Sequence, residues 1–137
     1  VKTVTPETSI KDAARLMADA DVGALPVAAG DRLAGMVTDR DIVVRAVAIG
    51  KGPATTVGEV MTHDVLYCHE DEDIGHISEN MAQNQVRRLP VVDVDKRLVG
   101  IISRAGLADA RADEAGEALE GITRPGGARS QSIEGRA

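Results

Sequence analysis

The chain carries one pattern twice. Val22-Gly23-Ala24-Leu25-Pro26-Val27 leads to Leu33-Ala34-Gly35-Met36-Val37-Thr38, and Val86-Arg87-Arg88-Leu89-Pro90-Val91 leads to Leu98-Val99-Gly100-Ile101-Ile102-Ser103. The Pro-to-Gly interval is one residue longer in the second copy, which places the insertion in a turn. Upstream, Ile10 and Met17 recur in frame as Ile74 and Met81. A repeat of this size is a supersecondary unit that buries its apolar face mainly against a neighbouring copy. The duplication therefore implies two related clefts, and function is to be read from the differences between them.

The 137 residues suit one compact unit or two half-domains sharing a core. Apolar residues make up 43% of the chain, but with no Phe or Trp and one Tyr the packing falls to Val, Ile, Leu, Met and Ala. That absence argues against modules that stack bases on aromatic rings. The net charge of −6 argues against phosphate-backbone binding, although a local arginine pair can still hold a small anion. One cysteine, Cys68, makes no internal disulfide, which points to a reducing compartment. No apolar run reaches the ~20 residues of a membrane helix and no signal peptide is visible, so a soluble, cytoplasmic protein is expected.

Val1 to Thr5 alternate as a short strand would. From Ser9 on, Ile10, Ala13, Ala14, Met17 and Ala20 keep helical spacing, with Thr8 or Ser9 as N-cap. Ala24 to Ala28 and Leu33 to Val37 read as strands joined by a Gly30-Asp31 turn. Thr38 opens a helix through Ile49, with Gly50 at the C-cap. Lys51 to Thr55 is a Gly/Pro linker, and Thr56-x-x-Glu59 a capping box before a single turn. The second copy repeats the order: strand Val65 to Cys68, helix Ile74 to Asn84, strands Arg88 to Val92 and Arg97 to Ile102, then a helix from Ser103. A counterpart of the Val57-to-Thr62 segment is missing ahead of the first copy, so the chain is expected to begin inside its natural start. The last helix is expected to run to about Glu120 with an Ala112, Ala115, Leu119, Ile122 stripe. Its acidic run (Asp109, Asp113, Glu114, Glu117, Glu120) reads as a solvated face. Beyond Thr123 the composition is that of a disordered tail, and Ile133-Glu134-Gly135-Arg136 matches a protease recognition sequence of the kind added in cloning.

Three stretches of the first copy are diagnostic: Ser9-Ile10-x-x-Ala13-Ala14-x-x-Met17, Gly23-Ala24-Leu25-Pro26-Val27, and Gly35-Met36-Val37-Thr38-Asp39-Arg40-Asp41. The second offers Glu59-Val60-Met61-Thr62, Val86 to Val92 and Gly100-Ile101-Ile102-Ser103. Together they resemble the cystathionine-β-synthase (CBS) domain as a tandem pair, over residues 1 to 108. The resemblance implies an α/β (α+β) fold of two β-α-β-β-α repeats related by pseudo-twofold symmetry. The expected borders are 1–50 for the first repeat, 51–56 for a linker, 57–108 for the second, 109–122 for the acidic helix and 123–137 for the tail. It also implies a regulatory module, often for adenosine nucleotides and often dimerised into a flat disc.

Thr38-Asp39-Arg40-Asp41 has two readings. In the plainer one it is a capping box, with Asp41 reaching back to the Thr38 N–H. In the functional one, which the resemblance implies, Asp41 accepts from both ribose hydroxyls while Thr38 meets ribose or phosphate at a helix N-terminus. The second copy breaks the pattern, because Gly106 stands where the ribose-binding Asp belongs. Gly23-Ala24 leave room for a purine where Arg87-Arg88 fill the matching space. Arg87 is the candidate phosphate clamp of the neighbouring cleft, with Arg88 behind it; the alternative is a pair of solvated strand-edge arginines. The ligand-binding set implied is Val4, Gly23, Ala24, Leu25, Pro26, Met36, Thr38 and Asp41, with Arg87 and Arg88. Cys68-His69, with His63 and His76 nearby, matches no standard zinc spacing, and a buried thiol is the simpler reading.

The expectation is a non-enzymatic sensor of an AMP-like nucleotide (AMP, ADP or ATP). It requires no cofactor, metal, nucleic acid or membrane, forms a homodimer, and signals to an unidentified protein partner. The dimer surface is expected around Ile42, Val43, Val44 and Val47, together with Ile74, Ile77 and Met81. The rivals are a ligand-free interaction module, a fragment of a nucleotide-synthesising dehydrogenase, and a nucleic-acid binder.

Overall fold

Helix α1 (Ile10–Ala20) starts where Ser9 turns extended and its Oγ accepts from the Asp12 N–H at 3.1 Å. Its stripe of Ile10, Ala13, Leu16 and Met17 is buried. Ala14, expected on that stripe, is exposed, and Leu16 takes the inward position. The helix ends at Asp21 in the left-handed region (φ 54°), whose N–H donates to the Met17 and Ala18 carbonyls. Strands β1 (Ala24–Ala29) and β2 (Arg32–Thr38) form an antiparallel hairpin from Ala24↔Thr38 to Ala29↔Arg32, turned at Gly30 (φ 65°). The strand expected over Val1 to Thr5 is only a parallel bridge at Val4, whose N–H donates to Pro26 and whose carbonyl accepts from Ala28. Helix α2 (Asp39–Arg45) is shorter than expected. It breaks at Ala46, and Val47–Ile49 form a 3-10 turn closed by Gly50 at φ 81°. The β-branched run Ile42, Val43, Val44 and Val47 favours a helix weakly, so little opposes the break.

The computed structural model describes residues 2–107 and 122–123. These fall into two compact units, 2–65, and 66–107 with 122–123. Residues 57–65, which the sequence groups with the second repeat, thus fold with the first. The reason is backbone pairing. Ser9 bridges Thr56, the Val57 N–H donates to Thr8 at 2.7 Å, the Gly58 N–H to Pro6 at 2.8 Å, and Met36 exchanges both bonds with Thr62. Gly35 permits that last pairing, since a Cβ there would stand on the Thr62 carbonyl. The 51–56 segment is bonded to the start of α1, where the Ile10 and Lys11 N–H groups donate to Thr55 and Pro53. Helix α3 (Val57–Val60) follows the Thr56–Glu59 cap as expected. Bonding from the Thr56 N–H, aided by Lys51, holds the Glu59 carboxyl below its ordinary range.

In the second unit β3 (Cys68–His69) pairs parallel to β4 (Arg88–Val92), Cys68 facing Val91 as Val4 faces Val27. The strand expected from Val65 starts only at Cys68, because the Val65 N–H closes a tight turn onto His63. Helix α4 (Ile74–Asn84) matches its expected bounds and ends at Gln85 in the left-handed region, as α1 does at Asp21. Its Ile74, Ile77 and Met81 are buried, as is Ile42 of α2, which corrects the assignment of these four to an outer dimer face. Strand β5 (Leu98–Ser103) pairs antiparallel with β4, and both hairpins shift register at the same place, Val27/Ala28 and Val91/Val92. The extra residue sits in the turn with Lys96 at φ 64°. There the Asp93 carboxylate accepts from the Asp95 and Arg97 N–H groups, which keeps its pKa low.

Residues 104–107 are helical. Ile122–Thr123, expected to end a helix and begin a tail, instead form β6 against Ile102 and Ile101. Both are β-branched, which suits a strand. The remainder of the acidic helix and tail, and Val1, lie outside the described residues. Each unit has its own core, built on Leu25, Val27 and Val37 in one and Leu89, Val91 and Ile102 in the other.

Candidate ligand-binding site

The functional candidates of the first unit meet where its hairpin runs into α2. Ala24↔Thr38 is the last strand pair, and the Asp39 N–H donates to the Gly23 carbonyl at 3.0 Å. Gly23 is small for a reason: a Cβ would stand 3.0 Å from Asp39 Oδ2. The Asp41 N–H donates to Thr38 Oγ1 and the Thr38 N–H to Asp41 Oδ2, each at 3.0 Å, so the capping box is complete. The Asp41 side chain is 13% exposed, and its Oδ1 lies 3.9 Å from Arg45 Nε. Arg45 Nη1 in turn donates to the Val60 and Met61 carbonyls at 3.4 and 3.3 Å, tying the box to α3.

The plainer reading of Thr38–Asp41 is thus realised, and it leaves acceptor capacity over. A carboxylate has about four lone-pair sites. The box takes one, and the Arg45 contact is long. The Thr38 hydroxyl hydrogen is also uncommitted by its acceptor role. Gly23, Ala24, Met36 and Thr38 are partly exposed, whereas Val4, Leu25 and Pro26 are buried and shape the wall from behind.

Arg87 and Arg88 build the corresponding corner of the second unit. Arg88↔Ser103 is the last pair, and the Arg104 N–H donates to the Arg87 carbonyl at 3.0 Å, the bond that Asp39 makes to Gly23. Ser103 Oγ accepts from the Gly106 N–H at 2.9 Å, so half of the cap survives, but glycine has no carboxylate to return. Arg87, Arg88, Ser103, Arg104 and Ala105 line a cleft of about 380 Å³. Sequence reasoning passed over Arg104, although its place opposite Asp39 was visible in the aligned copies.

A larger cleft of about 520 Å³ is lined by His69, Glu70, Asp71, Glu72, Val92, Asp93 and Val94. Two of its four carboxylates are used internally: Glu72 accepts from the His69 N–H and lies 3.5 Å from His76 Nε2, and Asp93 pairs with Arg97. Among the described residues no group of three or more His, Cys, Asp or Glu could hold a metal. Cys68 is fully buried, and burial, reinforced by the charge of Glu72, pushes its thiol up to about 12. At neutral pH it is a protonated core thiol rather than a nucleophile. No helix among the described residues is long and apolar enough to cross a membrane.

The profile of the CBS domain matches residues 1–47 and 57–113. Its second match begins at 57, so the sequence repeat and the spatial unit have different borders. The CBS domain-containing protein YhcV of Bacillus subtilis is 42% identical over 125 residues, covering 90% of this chain and 89% of the relative. Hypoxic response protein 1 of Mycobacterium tuberculosis is 40% identical over 110 residues, 79% of this chain and 76% of the relative. The crystal structure of Hypoxic Response Protein I with two coordinated zinc ions superposes with a TM-score of 0.71 at 40% identity, covering 80% of this chain and 89% of that one. That of CBSX2 in complex with AMP gives 0.71 at 30% identity, covering 82% and 88%. The duplicated hairpin-and-helix units and these matches agree, and the chain belongs to the CBS domain family, with two copies of the domain in tandem.

Proposed function

We propose that this CBS pair is a non-catalytic regulatory module that binds an AMP-like adenosine nucleotide at the Thr38–Asp41 corner. The observation that carries the reading is the Asp41 carboxylate, held by its cap at the hairpin end with spare acceptor capacity and with Gly23 and Ala24 opposite. Its geometry suits a vicinal diol, which needs two acceptors at one point. The AMP bound to CBSX2, a 30% identical relative, supports the same class of ligand. Occupancy would bias the Asp41–Arg45 link to the Val60 and Met61 carbonyls, and a partner protein would read the shifted population.

The rival is a ligand-free interaction module, favoured by the fact that the capping box is complete without a ligand. A thermal-shift panel of AMP, ADP, ATP, S-adenosylmethionine and NAD separates the two. The nucleotide reading expects AMP to raise Tm in the native chain and not in Asp41→Ala. A flat panel supports the rival.

We also propose a homodimer, in a cytoplasmic setting. Val43, Val44, Val47 and Ile49 are 46–65% exposed on α2 and the turn after it, a cluster that association would cover. Val43→Asp with Val47→Asp should give a monomer by light scattering. An unchanged dimer would place the interface elsewhere.

A further inference from the structure

We propose that the second unit carries two complementary charged faces through which copies of this chain associate head to tail, the arginine corner of one copy seating in the acidic cleft of the next.

The two faces lie at opposite ends of one strand. Arg88 opens β4, and Arg104 is bonded through its N–H to the carbonyl of Arg87, so three guanidiniums gather at the start of the strand. Val92 closes β4 and, with Glu70, Asp71 and Val94, lines the cleft of about 520 Å³. At ~3.3 Å per residue, Arg88 and Asp93 stand about 16 Å apart, twice the Debye length of about 8 Å at physiological salt. The faces therefore do not neutralise each other within one chain.

Each face has charge to spare. Among the described residues Arg87, Arg88 and Arg104 have no carboxylate within 4.0 Å, and Glu70 and Asp71 have no cation; the ion pairs there use Arg45, Lys51, His76 and Arg97. The three arginines and Asp71 are exposed, and Glu70 is half-buried. Clustered like charges oppose one another, so each cluster is relieved by an opposite charge from outside. The cleft suits arginine in particular. Val94, 91% exposed, offers apolar surface to the stem, while the free carboxylates match the planar fork. Every copy brings both halves at equal concentration, which makes a second copy the fitting partner. The faces differ, so the contact is heterologous, and it uses none of the residues proposed for the homodimer.

The contact needs no nucleotide, and sedimentation velocity on the full chain tests it. Larger species are expected at low salt than at high salt. Arg88→Ala with Arg104→Ala, and separately Glu70→Gln with Asp71→Asn, should each weaken that association roughly tenfold or more. An equimolar mixture of the two double variants should recover it, because one keeps the cleft and the other the corner. An isologous contact gives no such recovery. Val43→Asp with Val47→Asp should leave the salt-sensitive step in place. Far-UV circular dichroism checks that these surface variants remain folded. Absence of a salt-sensitive step in the native chain, its persistence in either charge variant, its loss in the valine variant, or a mixture that fails to recover it would each overturn the proposal.

Discussion

The hairpin ends of the two repeats share a backbone and differ in charge. Ala24↔Thr38 with the Asp39-to-Gly23 bond, and Arg88↔Ser103 with the Arg104-to-Arg87 bond, are the same construction at the same length of 3.0 Å. On it the first repeat sets Gly23, Ala24, Asp39, Arg40 and Asp41; the second sets Arg87, Arg88, Arg104, Ala105 and Gly106. Two carboxylates and one guanidinium stand against three guanidiniums. The substitutions go together physically. Asp39 approaches where Gly23 has no Cβ, and the second repeat has Arg87 in place of Gly23 and Arg104 in place of Asp39. A duplicated fold thus keeps its hydrogen bonds and apolar core, and the chemistry changes at exposed positions on the rim.

If the cores are equivalent and only the rims diverge, Leu25→Ala and Leu89→Ala should each cost about 2–5 kcal/mol in denaturant unfolding. Both side chains are buried to within 2%. Costs differing by more than about 2 kcal/mol would mean that the repeats are not equivalent inside either. Cys68 replaces Val4 in the second core, which makes the comparison sensitive to pH. Its thiol is raised from 9.0 to about 12 in the fold. The stability it contributes is therefore present below pH 9.0 and is lost as pH rises toward about 12. Cys68→Val should remove that alkaline loss while staying near neutral at pH 7. The native thiol should resist Ellman's reagent until the protein unfolds.

Smaller effects test the rims. Asp41→Ala should cost about 1 kcal/mol, the worth of a helix cap, and leave a folded protein. A loss several times larger would favour a purely structural role. Gly106→Asp should restore the missing half of the second cap and add about 0.5 kcal/mol in denaturant unfolding. An unchanged stability would show that the half-cap at Ser103 gains nothing from a returning carboxylate.

The sequence disclosed most of this architecture because each element announces itself locally. Ser9 caps α1, Thr38 caps α2, and the alternation around Pro26 and Pro90 marks the hairpins. What it did not disclose depends on distant partners. Nothing near Ala46 signals that α2 stops there. Backbone bridges to Thr8, Pro6 and Met36, the Arg45 bonds to Val60 and Met61, and burial of Val57, Val60 and Met61 in its core place 57–65 with the first repeat. Likewise β6 exists through its pairing with β5, which no local periodicity announces. At the sites, Thr38, Asp41, Arg87 and Arg88 were legible as differences between copies. The alignment of the copies also set Arg104 opposite Asp39, but its bond to the Arg87 carbonyl follows only from the strand register.

The central claim is that of the two rims the first alone takes a nucleotide, and calorimetric titration of the full chain with AMP tests it most directly. At the end of the hairpin the first repeat has the Asp41 carboxylate and the second has Gly106 in its place. The account therefore predicts about one AMP per chain, lost in Asp41→Ala. Two equivalent sites per chain, or a single site that survives Asp41→Ala, would contradict it.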